Sequence, residues 1–306
     1  MATDENKALL RRFIELWSTG NVALADEFVS ADLLDHTLLP GLPAGLAGFK
    51  LMVRGFRAAF PDLYVTIDDL LAEGDKAAAR VTFRGTQRGE FQDIPPSGKS
   101  ITMGAIVMLR FKDGAVVEQW AVLDRLSLLT QVGVAPAQHN LPYETLWPAR
   151  PSGHSRQVAD PMANLALVRR FFEDVYNRRR LEVADALFAA NHRYHDPSIP
   201  GVADGPAGIR QAPGPVVPYQ QAFSDARWHI EDMLAEGDTV VTRWRGNGTQ
   251  DGNLPGIPAT GRQVEVSGVW LQRITDGTIV ESWHVWDALG MLQQLGIIPD
   301  PKEIAR

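Results

Sequence analysis

Two aspartates, Asp124 and Asp287, stand at the same point of two similar stretches. The first is VVEQWAVLDRLSLLTQVG, from Val116 to Gly133, and the second is IVESWHVWDALGMLQQLG, from Ile279 to Gly296. Each reads as a strand that ends on the acid and then enters an amphipathic helix. A carboxyl group so placed can close the floor of an apolar pocket. Poorly solvated there, its pKa rises from ~3.9 toward neutrality, where it can take a proton from carbon and return it to oxygen. The α-proton of a 1,3-dicarbonyl is acidic enough for such a base without a metal. Aldol closure then needs one proton removed, another delivered, and a chain held folded. Each acid fits equally the N-cap of the helix behind it, a purely structural role.

Strand alternation groups Glu118, Trp120 and Val122 with Asp124, and Glu281, Trp283 and Val285 with Asp287. It sends His284 and Trp286 to the opposite side, toward a contact between domains. Trp120 and Trp283 are then core or cavity wall rather than platforms for a cofactor. Glu118 and Glu281 line the pocket or pair across the sheet with Arg80 and Arg243. His36, in Asp35-His36-Thr37, and His195, in Tyr194-His195-Asp196-Pro197, are candidate pocket groups or turn residues. Phe56, Met103, Tyr194 and Trp270 complete the expected lining. His192 and His195 have a metal-like spacing, but no helix is expected there and no third ligand accompanies them.

Bulk properties narrow the chemistry. Asp plus Glu number 37 and Lys plus Arg 30, for a net charge of −7. That balance argues against a nucleic-acid or anionic-membrane partner, which would need a basic face. Arg178-Arg179-Arg180 is a short run that reads as a solvated helix end. There is no cysteine, so thiolate catalysis, disulfides and Cys-ligated zinc are excluded. No secretory h-region and no span-length apolar run occurs, so the chain is expected to be soluble and cytoplasmic. No metal or nucleotide motif is found, and no cofactor is expected.

The elements that must position these residues occur twice. Arg11-Arg12-Phe13 matches Arg169-Arg170-Phe171, Ala25-Asp26 matches Ala184-Asp185, and Pro40-Gly41 matches Pro200-Gly201. Leu70-Leu-Ala-Glu-Gly-Asp75 aligns with Met233-Leu-Ala-Glu-Gly-Asp238 at an offset of 163, which Asp124 and Asp287 share. Two copies are too few for a solenoid, so each is a self-sufficient domain. The expected division is a first domain over 1–133, a Pro-rich linker over 134–162 strapped down by Tyr143 and Trp147, and a second domain over 163–306. In each half, three helices precede strands. The strands are expected near 64–72, 77–86, 99–111 and 115–124, then near 226–235, 239–248, 262–274 and 278–287. Leu24, Phe28 and Val29 mark the second helix, and Val183 to Phe188 its repeat. Pro213, Pro215 and Pro218 must break or shorten the third helix of the second half. Helices first and an antiparallel meander second is an α+β pattern. A curved sheet with helices on one face leaves a cone with an internal cavity.

The ending E-x-W-x-x-x-D-x-x-x-x-L-x-Q-x-G resembles the SnoaL-like polyketide cyclase family, as do AFPDLYVTIDDLLAEGD and GEFQDIPPSGKSITMGAIVMLRFKDGAVVEQW. The resemblance covers roughly 8–133 and 164–298. It implies the nuclear-transport-factor-like cone fold, two tandem α+β barrels and, since that family usually dimerises, a covalently joined pseudo-dimer that can associate further. It implies a cofactor-free cyclase or isomerase acting on a hydrophobic, polyketide-like molecule, with Asp124 or Asp287 as acid/base and His195 or His36 lining the same cavity. The fold also hosts binders without chemistry, epoxide hydrolases and steroid-isomerase-like enzymes. An Arg-x-Asp on the third strand, expected of the epoxide hydrolases, is absent from both halves. The proline-broken helix allows one cone to be active and the other structural.

Overall fold

The computed structural model of the chain describes residues 2–39, 41–136, 139–149 and 160–299. The expectations that fall on Pro40, on Pro151 and on residues 300–306 lie outside them. Two compact units divide between residues 138 and 139.

In the first unit, α1 (Ala2–Thr19) buries Leu10, Phe13, Leu16 and Trp17, a stripe at helical spacing. The segment expected to be a second helix is a single 3-10 stretch, Val22–Glu27. Phe28 ends it, and Val29–Asp35 is already strand β1. Val29 and Leu33 are the buried residues of that strand. With buried residues four apart, the segment mimics a helical face, and its pairing with β5 makes it a strand. α2 (Gly45–Ala59) follows, then β2 (Tyr64–Glu73), β3 (Lys76–Thr86), β4 (Ser100–Lys112) and β5 (Ala115–Leu123), and finally α3 (Arg125–Val132). The sheet order is β1-β5-β4-β3-β2. Three antiparallel pairs form the meander, and β1 adds to its edge in parallel with β5.

The linker is partly structured. Tyr143–Leu146 forms the short helix α4. Residues 139–149 belong with the second unit, where Trp283 Nε1 donates to the Pro148 carbonyl at 3.2 Å and the His139 ring reaches the Pro197 carbonyl at 3.1 Å.

The second unit repeats the plan. α5 (Pro161–Arg170) is capped by Asp160, then runs on as a π-helical turn over Phe171–Asn177. That turn accommodates one extra residue. Phe171 lies 158 positions after Phe13, whereas Asn177 takes the place of Ser18, 159 earlier. Ser18 Oγ accepts from the Val65 amide, and Asn177 Oδ1 from the matching Trp228 amide. Arg178 and Arg180 pair with Asp174, and Arg179 donates to the Gln220, Phe223 and Ser224 carbonyls. All three arginines are exposed, as expected of a solvated helix end, and their head groups also tie that end to its neighbour. The repeat of the second helix is short, with a 3-10 turn at Leu181–Val183 and α6 (Ala184–Leu187), before β6 (Phe188–His195). The proline-rich third helix is split into α7 (Ala207–Arg210) and α8 (Val217–Ala222). β7 (Arg227–Glu236), β8 (Thr239–Thr249), β9 (Gln263–Thr275) and β10 (Thr278–Trp286) lead into α9 (Ala288–Gln294). The order is β6-β10-β9-β8-β7, with β6 again parallel to β10. Both halves are α+β domains on five-stranded mixed sheets. Among the described residues no helix is long and apolar enough to cross a membrane.

Candidate functional site

The two aspartates that anchor the sequence reading are helix caps. Asp124 Oδ1 accepts from the Ser127 amide at 3.1 Å, and Asp287 Oδ1 from the Gly290 amide at 3.0 Å. Each stands one residue past its strand, where ψ near 65° has left the extended region (69° at Asp124, 64° at Asp287). Alternation along β10 holds, with Glu281 and Trp283 on one face and His284 and Trp286 on the other, but the inward face is the second: His284 and Trp286 line the cavity of the domain. Their assignment to a contact between domains is corrected accordingly.

Glu281, Trp283 and His195 lie together on the other face. His195 Nε2 is 2.9 Å from Glu281 Oε1 and its ring stacks on Trp283 at 5.2 Å. Arg273 donates to Glu281 Oε2 at 2.9 Å. The first domain repeats the set: His36 with Glu118 at 2.8 Å, His36 over Trp120 at 5.1 Å, and Arg110 on Glu118 at 2.8 Å. Glu118 and Glu281 are thus held by Arg110 and Arg273. Arg80 instead bonds Asp69 at 2.8 Å, and Arg243 pairs with Glu231, so the expected cross-sheet pairs are not formed. Burial would raise the Glu281 carboxyl, but hydrogen bonds from His195 and Arg273 outweigh it and hold the group down at about 2. The same forces lower Glu118. Permanently charged and twice bonded, these glutamates are structural groups.

The second domain encloses about 490 Å³ of empty space, its open mouth included. Tyr176, Tyr219, Trp228, Trp244 and Trp286 supply aromatic walls, and His284 is the imidazole among them. His284 is 4% exposed and lies against Trp270, 4.1 Å between ring centroids, and Trp244, 5.7 Å. Its Nδ1 is 2.9 Å from Asp196 Oδ2 and 2.9 Å from Tyr194 Oη. Tyr194 Oη donates to the same Asp196 oxygen at 2.8 Å. The other carboxylate oxygen accepts from the Ser198 amide at 2.8 Å and hydroxyl at 2.6 Å, and Ser198 Oγ accepts from Trp286 Nε1 at 2.9 Å. A carboxylate only accepts, and the tyrosine hydrogen is already given to it. Nδ1 must therefore carry the imidazole hydrogen, which leaves the lone pair on Nε2. That Nε2 is buried and has no hydrogen-bond partner among the described residues. Burial pushes the His284 pKa below its ordinary value, and Asp196 opposes the shift only in part. The neutral, basic form is thereby favoured.

Tyr194 and Trp270, expected as lining, stand behind His284 and hold it. Phe56 and Met103 are buried in the first domain, where Phe56 packs on Trp17, Phe60 and Phe91. Their counterparts 163 positions on, Tyr219 and Val266, line the cavity of the second. His192 is not near a ligand set; its Nε2 meets Ser282 Oγ at 2.9 Å.

A signal for the site was present in the copy-to-copy differences. At the offset of 163, Val65, Val81, Val107, Ala121 and Leu123 become Trp228, Trp244, Trp270, His284 and Trp286. Phe83 becomes Gly246, and the matched strand registers confirm the pairing, Val65 opposite Phe83 and Trp228 opposite Gly246. Phe83 fills the first domain by packing edge-on against Trp17 at 5.7 Å. Thr37 stands where the second domain has Asp196, 159 positions apart. The first domain thus lacks both the imidazole and the carboxylate that orients it.

The SnoaL-like polyketide cyclase model matches residues 7–132 and again residues 166–295. An aklanonic acid methyl ester cyclase, DauD, of Streptomyces sp. (strain C5) is 32% identical over 139 residues, 42% of this chain and 80% of that protein. Among solved structures, TsrD from Streptomyces laurentii is 30% identical, over 43% of this chain and 97% of that one, with a TM-score of 0.41. AclR from Streptomyces galilaeus, described as a putative hydroxylase, is also 30% identical, over 44% of this chain and 99% of that one, with a TM-score of 0.40. With two matches to that model spanning most of its length, the chain belongs to the SnoaL-like polyketide cyclase family.

Proposed function

We propose that the chain is an acid/base enzyme, working without a cofactor, that closes or isomerises a hydrophobic, polyketide-like carbonyl compound, and that the reaction takes place in the second domain. The observation that carries this is the buried, unpartnered Nε2 of His284, set in an aromatic cavity with Nδ1 fixed on Asp196 at 2.9 Å. Nε2 takes the proton from a carbon between two carbonyls, and Asp196 stabilises the imidazolium that results. The enolate carbon attacks a second carbonyl of the same folded molecule. The imidazolium then delivers its proton to the new alkoxide, and the imidazole is restored. The aromatic walls favour a flat, apolar substrate and exclude water from the enolate. This assigns the acid/base role to His284 in place of Asp287, with Asp196 as its positioning partner.

Aklanonic acid methyl ester, the compound in the name of the Streptomyces relative, is the first substrate to try. Intramolecular aldol closure changes retention without changing mass, so liquid chromatography with mass detection reads it directly. His284→Ala is expected to lower turnover by about 10²-fold or more, the usual range for loss of a general base. A His284→Ala protein that cyclises at the wild-type rate, on this or any substrate the wild type converts, would refute the assignment.

A further inference from the structure

A second unpartnered polar atom belongs to a residue that lines the same cavity. Trp244 lines it, and the Trp244 indole N–H is buried without a hydrogen-bond partner among the described residues. Leaving a buried N–H unsatisfied is costly, which makes such an atom a signal of a ligand. Its placement is built into the sheet. Trp244 on β8 is paired with Gly268 on β9, and the indole lies flat across that glycine. A Cβ at Gly268 would come 2.5 Å from Cζ2 and 2.7 Å from Nε1 of Trp244, so no other residue type leaves the ring where it is. The indole also stacks with the His284 ring, 5.7 Å between centroids and 27° between planes. Two neighbouring rings in the wall of one cavity therefore carry an unpartnered lone pair, on His284, and an unpartnered N–H, on Trp244.

We infer that Trp244 is a second catalytic residue, which donates its indole hydrogen to the carbonyl oxygen of the carbon acid that His284 deprotonates, so that the site selects enolisable 1,3-dicarbonyls. The inference rests on the function proposed for His284. An enolisable ketone carries its acidic C–H and its carbonyl oxygen on adjacent carbons, matching a neighbouring acceptor and donor. When the C–H bond breaks, the proton bonds to Nε2 and the electron pair spreads onto the oxygen. That oxygen is the atom whose charge grows, and a fixed donor there stabilises the enolate more than the ketone. No oxidant or other reactant is consumed. The first domain has Val81 and Ala105 at these positions and offers no such donor.

The test uses benzoylacetone, an aromatic 1,3-diketone whose enolate absorbs to the red of the protein. Its affinity for the full chain and its apparent pKa when bound are read by absorbance titration in wild type, Trp244→Phe, Gly268→Ala and His284→Ala. The indole-to-phenyl change keeps a flat ring and removes the hydrogen; near-ultraviolet circular dichroism checks that each variant is folded. Wild type is expected to bind the diketone and to raise its acidity by about 100-fold. Trp244→Phe should lose about tenfold or more of that gain, while its affinity for the neutral diketone at low pH changes by less than about threefold. Gly268→Ala, which displaces the indole, should lose it as well. A Trp244→Phe protein with the wild-type bound pKa overturns the role of Trp244. If His284→Ala still loses proton transfer in that case, the base assignment stands alone. A wild type that fails to bind the diketone, or binds it with unchanged acidity, overturns both.

Discussion

At the scale of single residues, the second domain separates groups that hold the fold from groups left with something to do. Asp124 and Asp287 each accept from the amide of the third residue of the helix behind them. Replacing either by Ala should cost about 1 kcal/mol of stability, the usual worth of a cap, read as a lowered midpoint in urea. His192 illustrates the cost of a buried imidazole that has no ligand. Burial drops its pKa from 6.5 to about 3, helped by the nearby His195 and opposed by Glu281. The unfolded chain binds a proton below pH 6.5 that the folded one refuses until about pH 3. The stability is fully present above 6.5 and is lost as the pH falls toward 3. Leu33 stands at the matching place in the first domain. His192→Leu should therefore narrow the difference in urea midpoint between pH 7 and pH 5; an unchanged difference would show that His192 is not the group responsible.

At the scale of elements, the meander strands were readable because the Gly74-Asp75 and Asp113-Gly114 turns and their repeats, Gly237-Asp238 and Asp276-Gly277, punctuate apolar runs too short for helices. All four meander strands of each half fall within a residue or two of the expected bounds. Leu34 to Thr37 reads as β-like and catches the end of β1, but the start of β1, and β6, follow a helix-like apolar run that obscured them; pairing with β5 and β10 makes them strands. The face of β10 was misread because the acid chosen to orient it lies beyond the strand. The cavity depends on exchanges between elements: Gly246 on β8 yields space to Trp228 and Trp244, and Phe83 closes that space in the first domain. A Cβ at Gly246 would lie 3.0 Å from the Trp244 ring and 3.3 Å from Trp228. Gly246→Ala should push the rings into the cavity and weaken benzoylacetone binding by about tenfold, for a strain of roughly 1–3 kcal/mol. Unaltered affinity, measured by the same absorbance titration, would mean that these rings do not form the binding wall.

At the scale of the whole molecule, duplication has produced two domains of one fold with unequal interiors. The first is packed by Trp17, Phe49, Phe56 and Phe83 where the second keeps tryptophan walls and an imidazole. The His-Glu-Arg sets on the sheet face away from the cavity, by contrast, are the same in both. Sequence conservation between halves thus marks shared structure, and divergence marks the site. Calorimetric titration with benzoylacetone should give one ligand per chain. A value of two would require the first domain to bind as well.

The most direct test follows the proton itself. Exchange of the C2 hydrogen of benzoylacetone into D2O, followed by proton NMR, reports carbon deprotonation whether or not a ring can close. Wild type should exceed the buffer rate; His284→Gln should fall toward it by about 10²-fold, and the Asp124→Asn, Asp287→Asn double variant, which keeps a capping oxygen and removes only the carboxylate charge, should stay within about threefold of wild type. Full exchange by His284→Gln, together with its loss in the double aspartate variant, would return the chemistry to the strand-end acids and contradict the assignment to His284.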